Sequence, residues 1–374
     1  MRRFISVMAA SALAAITSLA FGAPAPADQN RDKQWHLSLL EVAKAHQVSQ
    51  GEGITVAVID TGVDGNHPDL KGNVLPGLDV VTGGSGNGWG DTNGHGTAMA
   101  GLIAAHGHGS GNADGALGIA PKAKILPIDI GVTADIGTGE AMTNAIRESV
   151  KRGAKIISIS VESDVSAFDA VKEALAAGTV IIAAAGNRPR NDRVIAPASY
   201  PGVVAVGAIG RDGNIADIST RGQAVAVAAP GVDVMSTVTG NGYRTGSGTS
   251  PAAAIVSGVA ALIWSKNPNL TAKQVADHLT TTAIDKGAPG RDDEYGFGVV
   301  NPVKALSTPV APPSSPADIS RKLPPGLASR QAEAQGGDDS GGSGMGTWLL
   351  VGAGVAVVAG AIVVIVFVMR RRRA

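Results

Sequence analysis

Three side chains in this sequence are of the types, and in the settings, that acyl-transfer chemistry needs: Asp60, His95 and Ser250. A serine hydroxyl is a weak nucleophile until a base takes its proton. A histidine base in turn needs an acid that orients its ring and stabilises its cation. Asp60 closes the run Ile54-Thr55-Val56-Ala57-Val58-Ile59, β-branched and apolar, which is the pattern of a buried strand. The carboxyl end of an inner strand is where open α/β sheets place function. His95 stands between Gly94 and Gly96, ahead of a helical stretch over 98–105. Ser250 precedes Pro251 and a helix of Ala, Ile, Val, Gly and Leu that runs to Trp264. A helix apolar nearly all round must be buried, and Pro251 suits its first position. Taken alone, that segment makes Ser250 an N-cap. Taken with Asp60 and His95, it makes Ser250 a nucleophile at the positive end of a buried helix.

The elements that must position these groups follow from the pattern on either side. Strands are expected over 52–60, 124–130, 155–160, 180–184, 203–209 and 225–229. Helices are expected over 139–152, 166–177, 250–266 and 271–282, the last with Thr271 and Gln274 at capping-box spacing. This alternation predicts an α/β fold: a doubly wound, mainly parallel sheet with helices on both faces. It puts Asp60, His95 and Ser250 at element ends facing one edge of that sheet. Residues 28–50 read as a short amphipathic helix packed on the main domain. Residues 106–115 read as a polar, glycine-rich insertion. The domain is expected to span 28–306. A Pro/Ser-rich and then Gly/Ser-rich linker follows over 307–347.

Formal charge balances, so no general attraction to nucleic acid is indicated. The absence of cysteine excludes disulfides, thiolate metal sites and a cysteine nucleophile. Met1-Arg2-Arg3, an apolar run over 4–21 and Ala25-Pro26-Ala27 predict a secretory signal over 1–27. Residues 348–369 carry no charge and are long enough to span hydrocarbon. Arg370 to Arg373 adjoin them, so the tail 370–374 is expected in the cytoplasm. The expected location is therefore the cell membrane, crossed once, with the catalytic domain on the extracytoplasmic side.

Val58-Ile59-Asp60-Thr61-Gly62-Val63-Asp64, Asn93-Gly94-His95-Gly96-Thr97 and Gly248-Thr249-Ser250-Pro251-Ala252-Ala253 resemble the three signatures of subtilisin-like serine proteases. They stand in the order Asp, His, Ser that subtilisin uses. The resemblance covers roughly 50–305. The Trp35-His36-Leu37 opening, the lack of room for a long pro-segment before the first strand and the C-terminal anchor narrow it. Together they resemble the mycosins, the membrane-anchored proteases of type VII secretion systems in actinobacteria. The resemblance implies a protein or peptide substrate, a secretion-system membrane complex as partner, and proteolysis with Ser250 as nucleophile. It makes His95 the general base and acid, Asp60 its orienting carboxylate, and Asn187 the oxyanion-hole amide beside the Ser250 N–H. It implies that Ser158, Ser160 and Val161 pair with the substrate backbone. Ala183, Ala184, Ala185 and Gly186 would wall the first specificity pocket, with Ile195 at its floor. A part in a secretion assembly with proteolysis dispensable is the rival reading.

Some positions depart from the family. Glu162 stands where the family usually has Gly, and solvent is the expected place for its carboxylate. Arg188-Pro189-Arg190 makes the segment after Asn187 basic. No cofactor is required for the expected chemistry. Asp69 matches a family calcium ligand, with Asn112 and Asp114 as further oxygens, but a solvated acidic loop is the expected reading. His106 and His108 are read as a solvated pair.

Overall fold

β-branched and aliphatic runs become strands here because both faces of each are covered. The computed structural model describes residues 29–310, apart from 81–82, 132–135, 138 and 164–166. The expected signal, spanning helix, tail and most of the linker lie outside the described residues. In chain order the strands are β1 (Thr55–Asp60), β2 (Leu78–Asp79), β3 (His106–His108), β4 (Asp114–Leu117), β5 (Lys124–Asp129) and β6 (Ile136–Gly137). They continue with β7 (Ile156–Ile159), β8 (Glu162–Ser163), β9 (Val180–Ala184), β10 (Val204–Ile209), β11 (Val225–Pro230), β12 (Val234–Val238) and β13 (Gly242–Gly246).

Seven of them form one sheet in the order β11-β10-β9-β7-β1-β5-β2. Every pairing in it is parallel. The order turns at β1, which has β5 on one side and β7 on the other. Chains leaving a parallel sheet on opposite faces open a crevice at such a switch point, beyond the strand carboxyl ends. Asp60 is the last residue of β1 and so stands at that crevice.

The helices are α1 (Gln29–Asp32), α2 (Trp35–Leu39), α3 (Val42–His46), α4 (His95–Ala104), α5 (Gly139–Lys151), α6 (Phe168–Ala176), α7 (Thr249–Lys266), α8 (Ala272–Thr281) and α9 (Pro302–Ser307). Helices α4 and α7 pack in one apolar cluster, and α5 and α6 in a second that includes alternate residues of β1, β7 and β9. Period-2 alternation divides each strand between the two. Every residue of α7 from Thr249 to Trp264 is buried. Burial of each large aliphatic side chain stabilises the fold by ~1.5–3 kcal/mol, so a charge near the middle of α7 would leave no folded domain. The capping box on α8 is present, with Thr271 accepting from the Gln274 N–H.

Four local expectations are corrected. The segment before β1 is three short helices rather than one, because Glu41 takes a left-handed conformation (φ 49°) between α2 and α3. The glycine-rich insertion is an antiparallel pair, β3 with β4. Helix α4 begins at His95, not Ala98. Helix α7 begins at Thr249 after a Gly248 cap, so Ser250 is its second residue and Pro251 its third. The hairpin β12–β13, invisible in the apolar pattern, leads directly into α7.

Candidate active site

Asp60 is fully buried, and its carboxylate holds His95 Nδ1 at 2.7 and 2.9 Å. A carboxylate on Nδ1 fixes the tautomer and leaves Nε2 for chemistry. The Asp60 Oδ1 also accepts the Thr61 N–H at 2.8 Å. Close packing sets the distance from strand to helix. A Cβ on Gly96 would lie 2.0 Å from the Gly62 carbonyl oxygen, so only glycine lets α4 approach the turn after β1.

A second carboxylate holds the two elements together. Asp91 Oδ1 accepts the Thr61 hydroxyl and the N–H groups of Asn93 and Gly94 at 2.7–3.0 Å. Its Oδ2 accepts the Thr97 N–H and hydroxyl at 2.9 and 2.6 Å. The Thr61 hydroxyl oxygen in turn accepts the Gly96 N–H at 3.0 Å. Asp91 thus satisfies donors at the head of α4, where a helix leaves its N–H groups without partners, and fastens His95 to the Asp60 turn. Sequence reasoning missed Asp91. The available signal was Asp91-Thr92-Asn93-Gly94, an aspartate-led turn ending where the helix starts. Asp129, level with Asp60 on β5, was also missed. Burial first, with Asp79, Asp91 and Asp60 nearby, pushes its carboxyl above the usual range, against one hydrogen bond from the Gly131 N–H.

Ser250 lies with His95 on a cleft of about 280 Å³. Its hydroxyl donates to the Ser160 carbonyl at 2.8 Å, just beyond the end of β7. As the second residue of α7, its N–H has no intrahelical acceptor and points out of the positive helix end. Asn187 follows β9 and lines the same cleft. Its Oδ1 accepts the Thr249 N–H at 2.9 Å. An N–H demands an oxygen there, so the Asn187 amide nitrogen is the group left to donate. Gly248 permits this approach: its φ is 148°, and a Cβ there would lie 3.2 Å from Asn187 Oδ1.

Of the expected substrate contacts, Ser160, Ala184 and Gly186 line the cleft. Ser158, Val161, Ala183, Ala185 and Ile195 do not. Ser158 sits in the sheet interior, level with Val58 and Ile182, and β7 is paired on both edges through Ile159. Such a strand has no edge for a peptide, and backbone outside the sheet pairing begins only at Ser160. Ala183 and Ala185 flank Ala184 on an alternating backbone and face the core. Val161 packs in the cluster of α5 and α6, and Ile195 is half-buried outside the cleft lining. Glu162 does not point to solvent. It lines the cleft, 3.3 Å from Asn191 Nδ2 and 3.7 Å from Arg190 Nε.

Asp69 is not on a solvated loop. It is fully buried and engaged by three donors: His108 Nδ1 at 2.5 Å, the Ala116 N–H at 2.7 Å and the Tyr243 hydroxyl at 2.9 Å. A carboxylate so filled does not fit a calcium ligand. Among the described residues no group of three or more acidic or histidine side chains is placed to hold a metal ion. His106 and His108 are not a solvated pair either. His106 bonds the carbonyls of Gly107 and Lys71, and His108 holds Asp69.

An aspartate–histidine pair at a sheet switch point, a serine at a buried helix head and an amide beside that head define a serine hydrolase on an α/β fold. The subtilase family, peptidase S8, matches residues 51–298. Subtilisin DY of Bacillus licheniformis is 38% identical over 258 residues, covering 67% of this chain and 90% of its own. Thermitase of Thermoactinomyces vulgaris is 36% identical, covering 73% and 96%. This chain belongs to the subtilase family and is a serine endopeptidase. Among solved structures it is similar to MycP1 with the N-terminal propeptide removed, at 31% identity and a TM-score of 0.65 over 75% of this chain and 98% of that one. It is also similar to MycP1 from the ESX-1 type VII secretion system, at 28% identity and a TM-score of 0.67, over 79% and 91%.

Proposed function

We propose that this chain is a membrane-anchored, extracytoplasmic endopeptidase that cleaves proteins exported by a type VII secretion system, using Asp60, His95 and Ser250. The observation that carries the catalytic part is the 2.7 Å contact of buried Asp60 with His95 Nδ1 on the cleft that Ser250 lines. On substrate arrival the Ser250 hydroxyl leaves the Ser160 carbonyl and passes its proton to His95 Nε2 as Oγ bonds the scissile carbonyl carbon. The Ser250 N–H and the Asn187 amide receive the oxyanion. His95 gives the proton to the leaving nitrogen as the C–N bond breaks, and water releases the acyl group by the same route in reverse.

The secretion role rests on the likeness to MycP1 and on the ends of the chain. The signal over 1–27 and the spanning segment 348–369 with its arginines support a tethered domain facing outward. The substrate is a protein segment, and the partners are the membrane and a secretion-system complex. Replacing Ser250 by Ala in cells, with cleavage of exported proteins and export itself both measured, tests this reading. Loss of cleavage is the expected result. Export that falls while cleavage by the variant stays at the native level would contradict it. Export unchanged while cleavage stops would separate processing from a scaffold role.

A further inference from the structure

The cleft has two halves that differ in how their charges are met. On the side of Asn187 and Gly186, Arg190 and Glu162 face each other, and Glu162 also accepts from Asn191. On the side of His95, the cleft is lined by Met99, Pro251 and the strand residues Arg244, Thr245 and Gly246. Arg244 is half-buried there, and among the described residues no carboxylate or other hydrogen-bond acceptor meets its guanidinium. Its direction follows from the hairpin. Arg244 is level with Ser236 on β12, and cross-strand neighbours share a face. The Ser236 hydroxyl donates to the Ala98 carbonyl at 2.7 Å, so that face is turned to α4, the helix that carries His95. Space adjoins it: a Cβ built on Gly246 would meet nothing within 4 Å. Asp233, the acid nearest to Arg244 in the chain, accepts from the Ser247 hydroxyl, and Asp64, beside the turn before β13, accepts the Gly240 N–H.

We infer that Arg244 is a specificity residue for the leaving side of the scissile bond, and that the enzyme prefers an acidic side chain there. The inference rests on the protease reading above. His95 hands its proton to the leaving nitrogen, so the segment that departs crosses the His95 half of the cleft. A peptide carboxylate at its first or second position meets the open guanidinium, whose planar donors suit two-point contact with a carboxylate. An amide of the same shape loses the charge-assisted part of that contact. A lysine meets repulsion.

The test uses the full chain in detergent and fluorogenic peptides that share one acyl side. Glu, Gln or Lys is placed at the first or the second position after the cut, and mass spectrometry fixes the bond cleaved. At one of the two positions the native chain is expected to favour Glu over Gln by about tenfold in kcat/KM, with Lys lowest. Salt at about 1 M shrinks that ratio by screening. Arg244→Gln brings Glu and Gln within about twofold of each other, and Arg244→Glu moves the preference toward Lys. Equal rates for Glu and Gln in the native chain at both positions overturn the inference, as does a Glu preference that survives in Arg244→Gln. The ratio and its salt dependence in the native chain decide the matter even when a variant does not fold. A fluorophosphonate, which carries no peptide on the leaving side, separates the two readings. A native chain that labels but ignores charge overturns only the role of Arg244. One that neither labels nor cuts overturns the protease reading and this inference together.

Discussion

Asp60 and Asp69 are both fully buried, and each carboxylate meets a histidine Nδ1, at 2.7 Å for His95 and 2.5 Å for His108. Their surroundings differ. The Asp60 pair opens on a cleft with a serine at a helix head. The Asp69 pair is closed instead by other donors. Its second oxygen takes the Tyr243 hydroxyl and the Ala116 N–H. It ties the β3–β4 hairpin to β13 and to the loop after β1, as a polar clasp. An aspartate–histidine contact is therefore not a catalytic site in itself. What converts it is a place on a cleft shared with a nucleophile, with donors beyond it for the charge that develops.

Substitutions in the two pairs sharpen the contrast. Asp60→Asn should lower kcat by about 10⁴-fold with the fold intact, because the ring loses the tautomer that catalysis needs. The check is kcat on a peptide substrate beside a thermal melt. Asn187→Ala should lower kcat by about 10²–10³-fold, the loss that a missing oxyanion donor causes in subtilisin. An unchanged kcat would remove Asn187 from the charge-stabilising set. Asp69→Asn should do the opposite of Asp60→Asn. It should cost about 1–3 kcal/mol of stability through imperfectly met buried donors, with kcat of the folded fraction near native. A kcat loss as deep as that of Asp60→Asn would erase the distinction drawn between the pairs.

An effect confined to acid pH concerns a third histidine, whose ring nitrogens have no hydrogen-bond partner among the described residues. His36 is fully buried, and burial lowers its pKa from 6.5 to about 3. Below pH 6.5 the unfolded chain binds a proton there that the folded chain refuses. Stability therefore falls as pH drops from 6.5 toward 3 and levels off below that. At pH 4 the loss is on the order of 3 kcal/mol, an upper figure. Burial lowers the pKa of His46 and His67 as well, so they act in the same direction. His36→Leu should flatten this part of the acid profile. Denaturant midpoints at pH 7 and pH 4 read it directly, and an equal drop in both proteins would contradict the assignment.

Much of this arrangement was legible because it depends on local pattern. The runs ending at Asp60 and Ala184 could be nothing but buried strands, and the apolar length of α7 required a place inside. What stayed hidden depends on pairing between distant segments. Nothing within residues 106–117 says that His108 reaches Asp69. Nothing local to Glu162 says that Asn191 turns it into the cleft. Ser158 looked like a substrate contact until β1 and β9 closed both its edges. The clasp and the cleft wall are properties of the topology, and single-segment patterns carry no record of them.

The central claim is that Ser250 is the nucleophile, activated by His95. It is tested most directly by treating the full chain with a fluorophosphonate, digesting it and locating the adduct by mass spectrometry. The account predicts one adduct, on the Ser250 hydroxyl of the α7 peptide, and none when folded His95→Ala protein is treated alike. An adduct on another residue, or a folded native chain that takes up none, would contradict it.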